Sequence, residues 1–121
     1  GKLGAEELNL SSDVDLMYVR EDGSQADLKS LREFQRLLSE ATELGFCLRI
    51  DLTIRPGGPS AALCPTFSEL ENHYGYHGEM WERLAFVRAR GVTGHAATQE
   101  AALEFGRKFA FRKHLDYTVL E

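Results

Sequence analysis

The sequence SSDVDLMYV, residues 11–19, decides the fold that we expect for this chain. Asp13 and Asp15 stand two residues apart at the start of an apolar run that is typical of a β-strand. Side chains at positions i and i+2 of a strand share a face, so the two carboxylates project together, about 7 Å apart at Cα. Carboxylates this close repel each other unless a proton or a cation lies between them. The pair therefore indicates an acid–base pair, a site for a hard ion such as Mg²⁺, or two exposed acids at a loop edge.

A second strand is predicted over residues 46–55, where apolar and polar residues alternate. The other face of this strand carries Asp51 between Arg49 and Arg55, and a face this charged either meets solvent or lines a site. The apolar face is expected to belong to the core: Phe46, Leu48, Ile50, Leu52 and Ile54.

If the two strands are neighbours, three carboxylates meet on one sheet face: Asp13, Asp15 and Asp51. Three carboxylates can gather one or two Mg²⁺ ions, which orient and neutralise a phosphoryl group under attack. Arg49 and Arg55 could then bind a phosphate group bidentately. The alternative is that these arginines neutralise Asp51 in ordinary ion pairs.

Between the two strands, a helix is predicted over residues 28–44. Asp27 suits its N-cap, and Gly45 suits the position just past its end. Residues 56–59 contain two prolines and two glycines, which should break the second strand. Residues 61–64 could form a short returning strand.

From Thr66 onward, the sequence predicts helices only. Thr66 and Glu69 form a capping box, so a helix should run from there to about Tyr76. Two more helices are predicted over 79–90 and 98–112, and residues 114–121 are expected to begin another. The side chains expected to face inward are Met80, Trp81, Leu84, Val87, Ala102, Phe105 and Phe109, with Gly91 ending the first of these helices. Strands followed by helices favour the α+β class.

The composition is that of one ordinary globular domain, with 43% hydrophobic and 27% charged residues and a net charge of −5. Residues 1–80 hold 14 acidic and 7 basic residues, without the dominant basic face of a nucleic-acid binder. No apolar run is long enough for a membrane span, and the N-terminus lacks a signal-peptide pattern. We therefore expect a cytoplasmic protein that binds neither nucleic acid nor membrane.

Three other features carry weaker signals. Cys47 and Cys64 lack the spacing of a metal or redox motif and are expected to be buried free thiols. His73 and His77 are spaced i, i+4, which can ligate a metal, but no third ligand of matching type lies nearby in the sequence. The sequence GKLG at residues 1–4 suits close backbone approach to an anion, with a simple turn as the alternative.

Several motifs closely resemble the glutamine synthetase adenylyltransferase family. They are GKLG (1–4), ELN (7–9), SSDVDL (11–16), RID through RP (49–56) and WER through RAR (81–90). This family consists of large bifunctional enzymes with two nucleotidyltransferase domains of the DNA polymerase β superfamily. Arg49 and the segment FAFRKHLDY (109–117) resemble the N-terminal, adenylyl-removing domain.

The resemblance implies a nucleotidyltransferase-type fold, a small mixed sheet followed by α-helices, with the sheet and site in residues 1–65 and helices in residues 66–121. It implies phosphorolysis of an adenylyl-tyrosine of glutamine synthetase, which releases ADP, and regulation by the PII signal protein. The alternatives are AMP transfer from ATP to a tyrosine and a non-catalytic regulatory module.

The resemblance also assigns roles to individual residues. Asp13, Asp15 and Asp51 would be the catalytic carboxylates and would bind Mg²⁺ or Mn²⁺. The predicted nucleotide- and phosphate-binding residues are Gly1, Lys2, Ser12, Arg49 and Arg55.

Two departures from the family pattern matter. Thr53 stands where the family usually has an arginine, which weakens the case for phosphate binding on that face. The family also has a hydrophobic strand before the glycine loop, whereas this chain begins at the loop. We therefore expect a fragment of a longer protein, with an exposed sheet edge and a tendency to self-associate.

Overall fold

The computed structural model describes residues 1–112, and these form four α-helices and two short strands. The elements in chain order are β1 (Asp13–Asp15), α1 (Leu28–Ser39), β2 (Arg49–Asp51), α2 (Phe67–Tyr76), α3 (Met80–Val87) and α4 (Ala96–Ala110), with a 3₁₀ turn at Gly58–Ser60. The predicted α+β class is confirmed. The helix expected over 114–121 lies outside the described residues.

The strands β1 and β2 pair in parallel, and α1 provides the crossover between them. Both are shorter than predicted. After β1, the backbone N–H of Leu16 still donates to the Asp51 carbonyl (2.9 Å), but that of Arg20 donates to the Pro65 carbonyl (3.0 Å). The segment after β1 therefore turns away from β2 toward the start of α2.

Helix α1 begins as predicted but ends earlier. The Asp27 carboxylate accepts a hydrogen bond from the Ser30 backbone N–H (3.1 Å), which confirms the N-cap. The helix stops at Ser39 because Glu40 adopts an extended backbone conformation. Gly45 instead closes a separate turn with Thr42, in which each residue donates its N–H to the other's carbonyl.

Helix α2 has the bounds that its capping box predicted. Thr66 Oγ1 accepts from the Glu69 backbone N–H (3.2 Å), and Glu69 Oε2 accepts from the Thr66 backbone N–H (2.7 Å). The preceding residues 61–64 do not form the expected strand. In their place, a single bridge pairs Arg20 with Thr66.

The core lies where α2, α3 and α4 meet. Its buried members are Leu70, Tyr74, Phe86 and Phe109. Tyr74 packs edge-on against Phe86, with ring centroids 5.2 Å apart, and such aromatic pairs add ~0.5–1.5 kcal/mol beyond their buried area. The Tyr74 hydroxyl donates to the Ile54 carbonyl (2.6 Å), which ties the segment after β2 to the helical core.

The apolar face of β2 was predicted as core, and this is wrong for Phe46, which is 55% exposed. The other four residues of that face are half-buried. The reason is that the aromatic core forms between helices, so the short sheet lies beside it rather than over it. Cys47 is also exposed, whereas Cys64 is buried as predicted.

Helix α3 turns a different face inward from the one predicted. Leu84 and Val87 are exposed, and so is Trp81 at 53%. The buried residues of α3 include two charged ones, Glu82 and Arg83. They are buried because they have partners, since buried polar groups are almost always hydrogen-bonded.

Glu82 has a side-chain partner, because His73 Nε2 lies 3.5 Å from Glu82 Oε1, and both buried side chains also bond backbone groups, although Arg83 Nε has no partner among the described residues. Glu82 accepts from the Glu79 backbone N–H (2.8 Å), and Arg83 donates to the Arg112 carbonyl (2.7 Å).

On α4, Phe109 is buried and Phe105 packs against the core cluster, as predicted. No helix among residues 1–112 has both the length and the apolar character needed to cross a membrane.

Candidate active site

The register of the parallel pair brings the predicted carboxylates to one sheet face. Asp13 pairs with Arg49 and Asp15 pairs with Asp51. Val14, between the two aspartates of β1, is buried, whereas Asp13 and Asp15 are exposed. Because side chains alternate along a strand and paired residues share a face, all three aspartates and Arg49 lie on the face opposite Val14.

Asp13 is held by an arginine on this face. Arg49 Nε lies 2.8 Å from Asp13 Oδ1, and Arg49 Nη2 also donates to the Ser11 carbonyl. Both side chains are about half exposed (51% and 60%), so the pair is screened and contributes ~0–1 kcal/mol. Arg49 thus forms an ordinary ion pair, although with Asp13 rather than with Asp51.

Asp51 is held by its own backbone turn. Its Oδ1 accepts a hydrogen bond from the Thr53 backbone N–H (2.8 Å), and this bond lowers the pKa of Asp51. The same turn ends β2, because the Arg55 N–H then donates to the Leu52 carbonyl. An Asp51 that stays ionised suits cation binding better than proton sharing.

The glycine loop, residues 1–6, lies directly beside Asp15. It forms a turn in which the Ala5 N–H donates to the Gly1 carbonyl (3.2 Å). A Cβ built on Gly1 would collide with Asp15 Oδ2, so a side chain at this position would force the Asp15 carboxylate to move. Lys2, in the same loop, is exposed and contributes a mobile positive charge.

The segment that follows α3 holds the glycine loop in place. A Cβ on Gly4 would collide with the Arg88 backbone oxygen. Arg88 Nη1 forms an ion pair with Glu7 Oε2 (2.5 Å), and Arg90 Nη2 donates to the Leu3 carbonyl (3.1 Å). We did not predict this role for Arg88 and Arg90. The available signal was the motif that ends in RAR, but the predicted helix over 79–90 placed both arginines inside a helix, whereas α3 ends at Val87.

Ser12 and Arg55 have local partners in the structure. Ser12 Oγ donates to Asn9 Oδ1 (2.9 Å), in a turn immediately before β1. Arg55 lies beyond the end of β2, and its Nε donates to the Gly58 carbonyl (3.0 Å) in the 3₁₀ turn. The argument that Arg55 shares a strand face with Asp51 therefore fails, because the strand ends at Asp51.

The donor set fits a hard cation by its chemistry. Carboxylate oxygens on one face are the ligands that Mg²⁺ prefers. Within residues 1–112, however, no three acidic, histidine or cysteine side chains converge closely enough to hold a metal ion. Asp13 would have to leave Arg49 to join such a site.

His73 and His77 have ring centroids 6.3 Å apart and no third ligand among the described residues.

Comparison with known proteins gives consistent results. A family model described as glutamate–ammonia ligase adenylyltransferase matches residues 1–105. A protein from Xanthomonas oryzae pv. oryzae (strain MAFF 311018) is 41% identical over 132 residues, and one from Nitrosococcus oceani is 39% identical over 133 residues. A third, from Pseudomonas syringae pv. tomato, is 40% identical over 133 residues. Each is called a bifunctional glutamine synthetase adenylyltransferase/adenylyl-removing enzyme. Each match covers 100% of this chain but 14% of the relative, so the chain spans about one seventh of their length.

Proposed function

The chain belongs to the glutamate–ammonia ligase adenylyltransferase family, and from this premise we propose that it removes AMP from an adenylyl-tyrosine of glutamine synthetase by Mg²⁺-dependent phosphorolysis. The products are ADP and the unmodified tyrosine. The observation that carries the proposal is the register of β1 and β2, which aligns Asp15 with Asp51 and Asp13 with Arg49 beside the glycine loop.

Asp13, Asp15 and Asp51 would hold the cation. When bound, a divalent cation neutralises charge on the phosphoryl group under attack. The attacking phosphate is already an anion at neutral pH, so it needs positioning and charge neutralisation more than a strong base. The lowered pKa of Asp51 agrees with this, because the carboxylate then stays charged.

The positively charged side chains of the site have separate roles. Arg49 lies on the carboxylate face and has a guanidinium fork that matches phosphate oxygens. Lys2 extends from the loop beside Asp15 and would neutralise an incoming phosphate. Gly1 keeps the loop close enough to Asp15 for a phosphate to contact both sides, and Gly4 lets the loop pack against the Arg88 backbone.

The full chain, incubated with adenylylated glutamine synthetase, inorganic phosphate and Mg²⁺, should release ADP. Asp15→Asn should lower this rate by about 100-fold or more, because loss of one carboxylate charge weakens cation binding. Glu43→Gln, an equal change of charge on an exposed residue away from the sheet, is the matched control. If Asp15→Asn forms ADP at the unchanged rate, the carboxylate role is wrong.

The reverse reaction is the second candidate, because the relatives are named for both activities. It predicts that unmodified glutamine synthetase becomes labelled when the chain is given ATP labelled at the α-phosphate. Label transfer without ADP release from adenylylated enzyme would favour this direction.

Control by the PII signal protein is part of the proposal, and it predicts that added PII changes the rate of ADP formation.

A non-catalytic module is the third candidate, favoured by the ion pair that occupies Asp13. It predicts that calorimetric titration with Mn²⁺, alone or with ADP, gives the same heat of binding for the parent chain and for Asp15→Asn. Metal-dependent binding that Asp15→Asn removes would exclude this candidate.

A further inference from the structure

A second concentration of positive charge lies away from the carboxylates. A groove of about 810 Å³ is lined by residues of α1, the loop before it and the segment after β2. Its lining includes Arg20, Arg32 and Arg55, and no acidic residue of the described chain lines it. We call it the arginine groove. In a chain with a net charge of −5, three guanidinium groups without a lining carboxylate form a local anion-attracting surface.

Two of the three guanidinium groups are held by backbone carbonyls. Arg20 Nε donates to the Cys64 carbonyl (3.1 Å), and Arg55 Nε donates to the Gly58 carbonyl (3.0 Å). Carbonyl oxygens fix the orientation of a guanidinium without cancelling its charge. Each guanidinium has five N–H donors, so both retain donors for a ligand.

The acidic side chain near Arg20 is engaged elsewhere. Asp22 accepts from both the backbone N–H (3.1 Å) and the hydroxyl (2.5 Å) of Ser68, and these bonds lower the pKa of Asp22. Asp22 does not line the groove. It therefore binds the start of α2, and no ion pair joins it to Arg20 among the described residues, although the Arg20 charge also contributes to its lowered pKa.

Arg32 has no ion pair or hydrogen bond among the described residues. It stands on α1 between Leu28 and Gln35, which line the same wall. The contrast with Arg36 on the same helix is direct, because Arg36 pairs with both Glu33 and Glu40. Arg32 is thus exposed and available to a ligand in the groove.

The groove is separate from the carboxylate face. Leu52 lines it, whereas Asp51 and the two aspartates of β1 do not. Its size falls within the ~300–1,000 Å³ typical of small-molecule sites. Apolar side chains share the lining with the arginines, among them Leu28, Leu52 and Leu63. A ligand that contacts both the arginines and the apolar side chains has an anionic group and an apolar organic part.

We propose that the arginine groove binds a phosphorylated small molecule independently of the carboxylate face. Guanidinium forks bind phosphate oxygens in pairs, and such charge-assisted hydrogen bonds are about twice as strong as neutral ones. The leucines would contact the organic part. This site is additional to the proposed reaction, and Arg55 then acts in the groove rather than at the carboxylates.

Calorimetric titration of the full chain with ADP, in buffer that contains EDTA, tests the proposal without any contribution from metal. ADP should bind, and Arg32→Gln should weaken it by about tenfold through loss of a charge-assisted contact. Arg36→Gln removes an arginine from the same helix outside the groove and should leave the affinity unchanged. Asp15→Asn should also leave it unchanged, so the result does not depend on the proposed phosphorolysis.

Several outcomes would overturn the proposal. Adenosine that binds as tightly as ADP would show that charge is not recognised. Equal weakening by Arg32→Gln and Arg36→Gln would exclude the groove as the site, as would loss of binding in Asp15→Asn. Orthophosphate that binds as tightly as ADP would contradict the organic part of the assignment.

Discussion

Single residues on the carboxylate face differ in what holds them. Asp13 is paired with Arg49, Asp51 is bound by the Thr53 N–H, and Asp15 lies under the glycine loop. The three carboxylates therefore do not have equal freedom to bind a cation. Two predictions follow from these separate environments.

The first concerns Arg49 as a competitor for Asp13. Arg49→Gln removes the cation that occupies this carboxylate, so Mn²⁺ affinity should rise by about fivefold, the equivalent of ~1 kcal/mol for an exposed pair. Calorimetric titration measures this, with Arg36→Gln as the matched control because its ion pairs lie on α1. Weaker Mn²⁺ binding in Arg49→Gln would show that Arg49 does not compete for the site.

The second concerns the pH dependence contributed by Asp51. Its pKa is lowered by the Thr53 N–H, so the folded state favours the ionised form. The stabilisation is fully present above the unfolded pKa of about 3.9 and is lost as pH falls through the lower folded value. In urea unfolding at pH 7 and pH 3, Asp51→Asn should lose less stability on acidification than the parent chain. An NMR titration that places the Asp51 pKa at or above the ordinary value would contradict this.

At the scale of elements, the features that depend on local sequence signals were predicted well, whereas the faces that are buried were not. The capping box of Thr66 and Glu69 located α2 because all its bonds join residues three apart. The predicted inward face of α3 was wrong because Glu82 and Arg83 are buried by hydrogen bonds that apolar periodicity does not reveal. Glu82 accepts from the Glu79 backbone N–H at the start of the helix, and Arg83 donates to the distant Arg112 carbonyl. The early end of α1 was missed because apolar spacing continues past Ser39 although the backbone does not.

The third prediction concerns how the segment after α3 supports the glycine loop. Gly4→Ala should destabilise the chain by about 1–3 kcal/mol, because the added methyl group collides with the Arg88 carbonyl oxygen. Gly75→Ala is the matched control, since Gly75 lies inside α2 with open space around its Cβ position. That control should be more stable by about 0.5–1 kcal/mol, because alanine favours the helix. Equal urea midpoints for the two variants would refute the close approach at Gly4.

At the scale of the whole molecule, the sequence placed three carboxylates on one sheet face on the condition that the two aspartate-bearing strands are neighbours, and the parallel pairing of β1 and β2 meets that condition. A strand followed by a helix and a second strand is the pattern that produces a parallel pair. The location of the core could not be predicted in the same way. It forms at the junction of α2, α3 and α4, and the partly buried side chains that pack against it include Met17 and Val19 of the segment after β1. The assignment of the carboxylates to a metal stays a prediction.

The fourth prediction concerns that core. Phe109→Ala should cost about 3–5 kcal/mol in the free energy of unfolding, because Phe109 is 4% exposed and contacts both Tyr74 and Phe86. Phe111→Ala, two residues later and 68% exposed, should change stability by less than about 0.5 kcal/mol. Denaturant unfolding of both variants measures this. Similar losses in both would place the cooperative core elsewhere.

The contacts that hold the glycine loop join the first residues of the chain to the segment that follows α3. Glu7 meets Arg88 across 81 residues, and Leu3 meets Arg90 across 87. During synthesis on the ribosome, the loop and both aspartate-bearing strands therefore emerge long before the residues that fix the loop. A nascent chain that ends before residue 88 has all three carboxylates, but its loop is not yet seated beside Asp15. The candidate site is thus completed only after residues 88–90 have been synthesised.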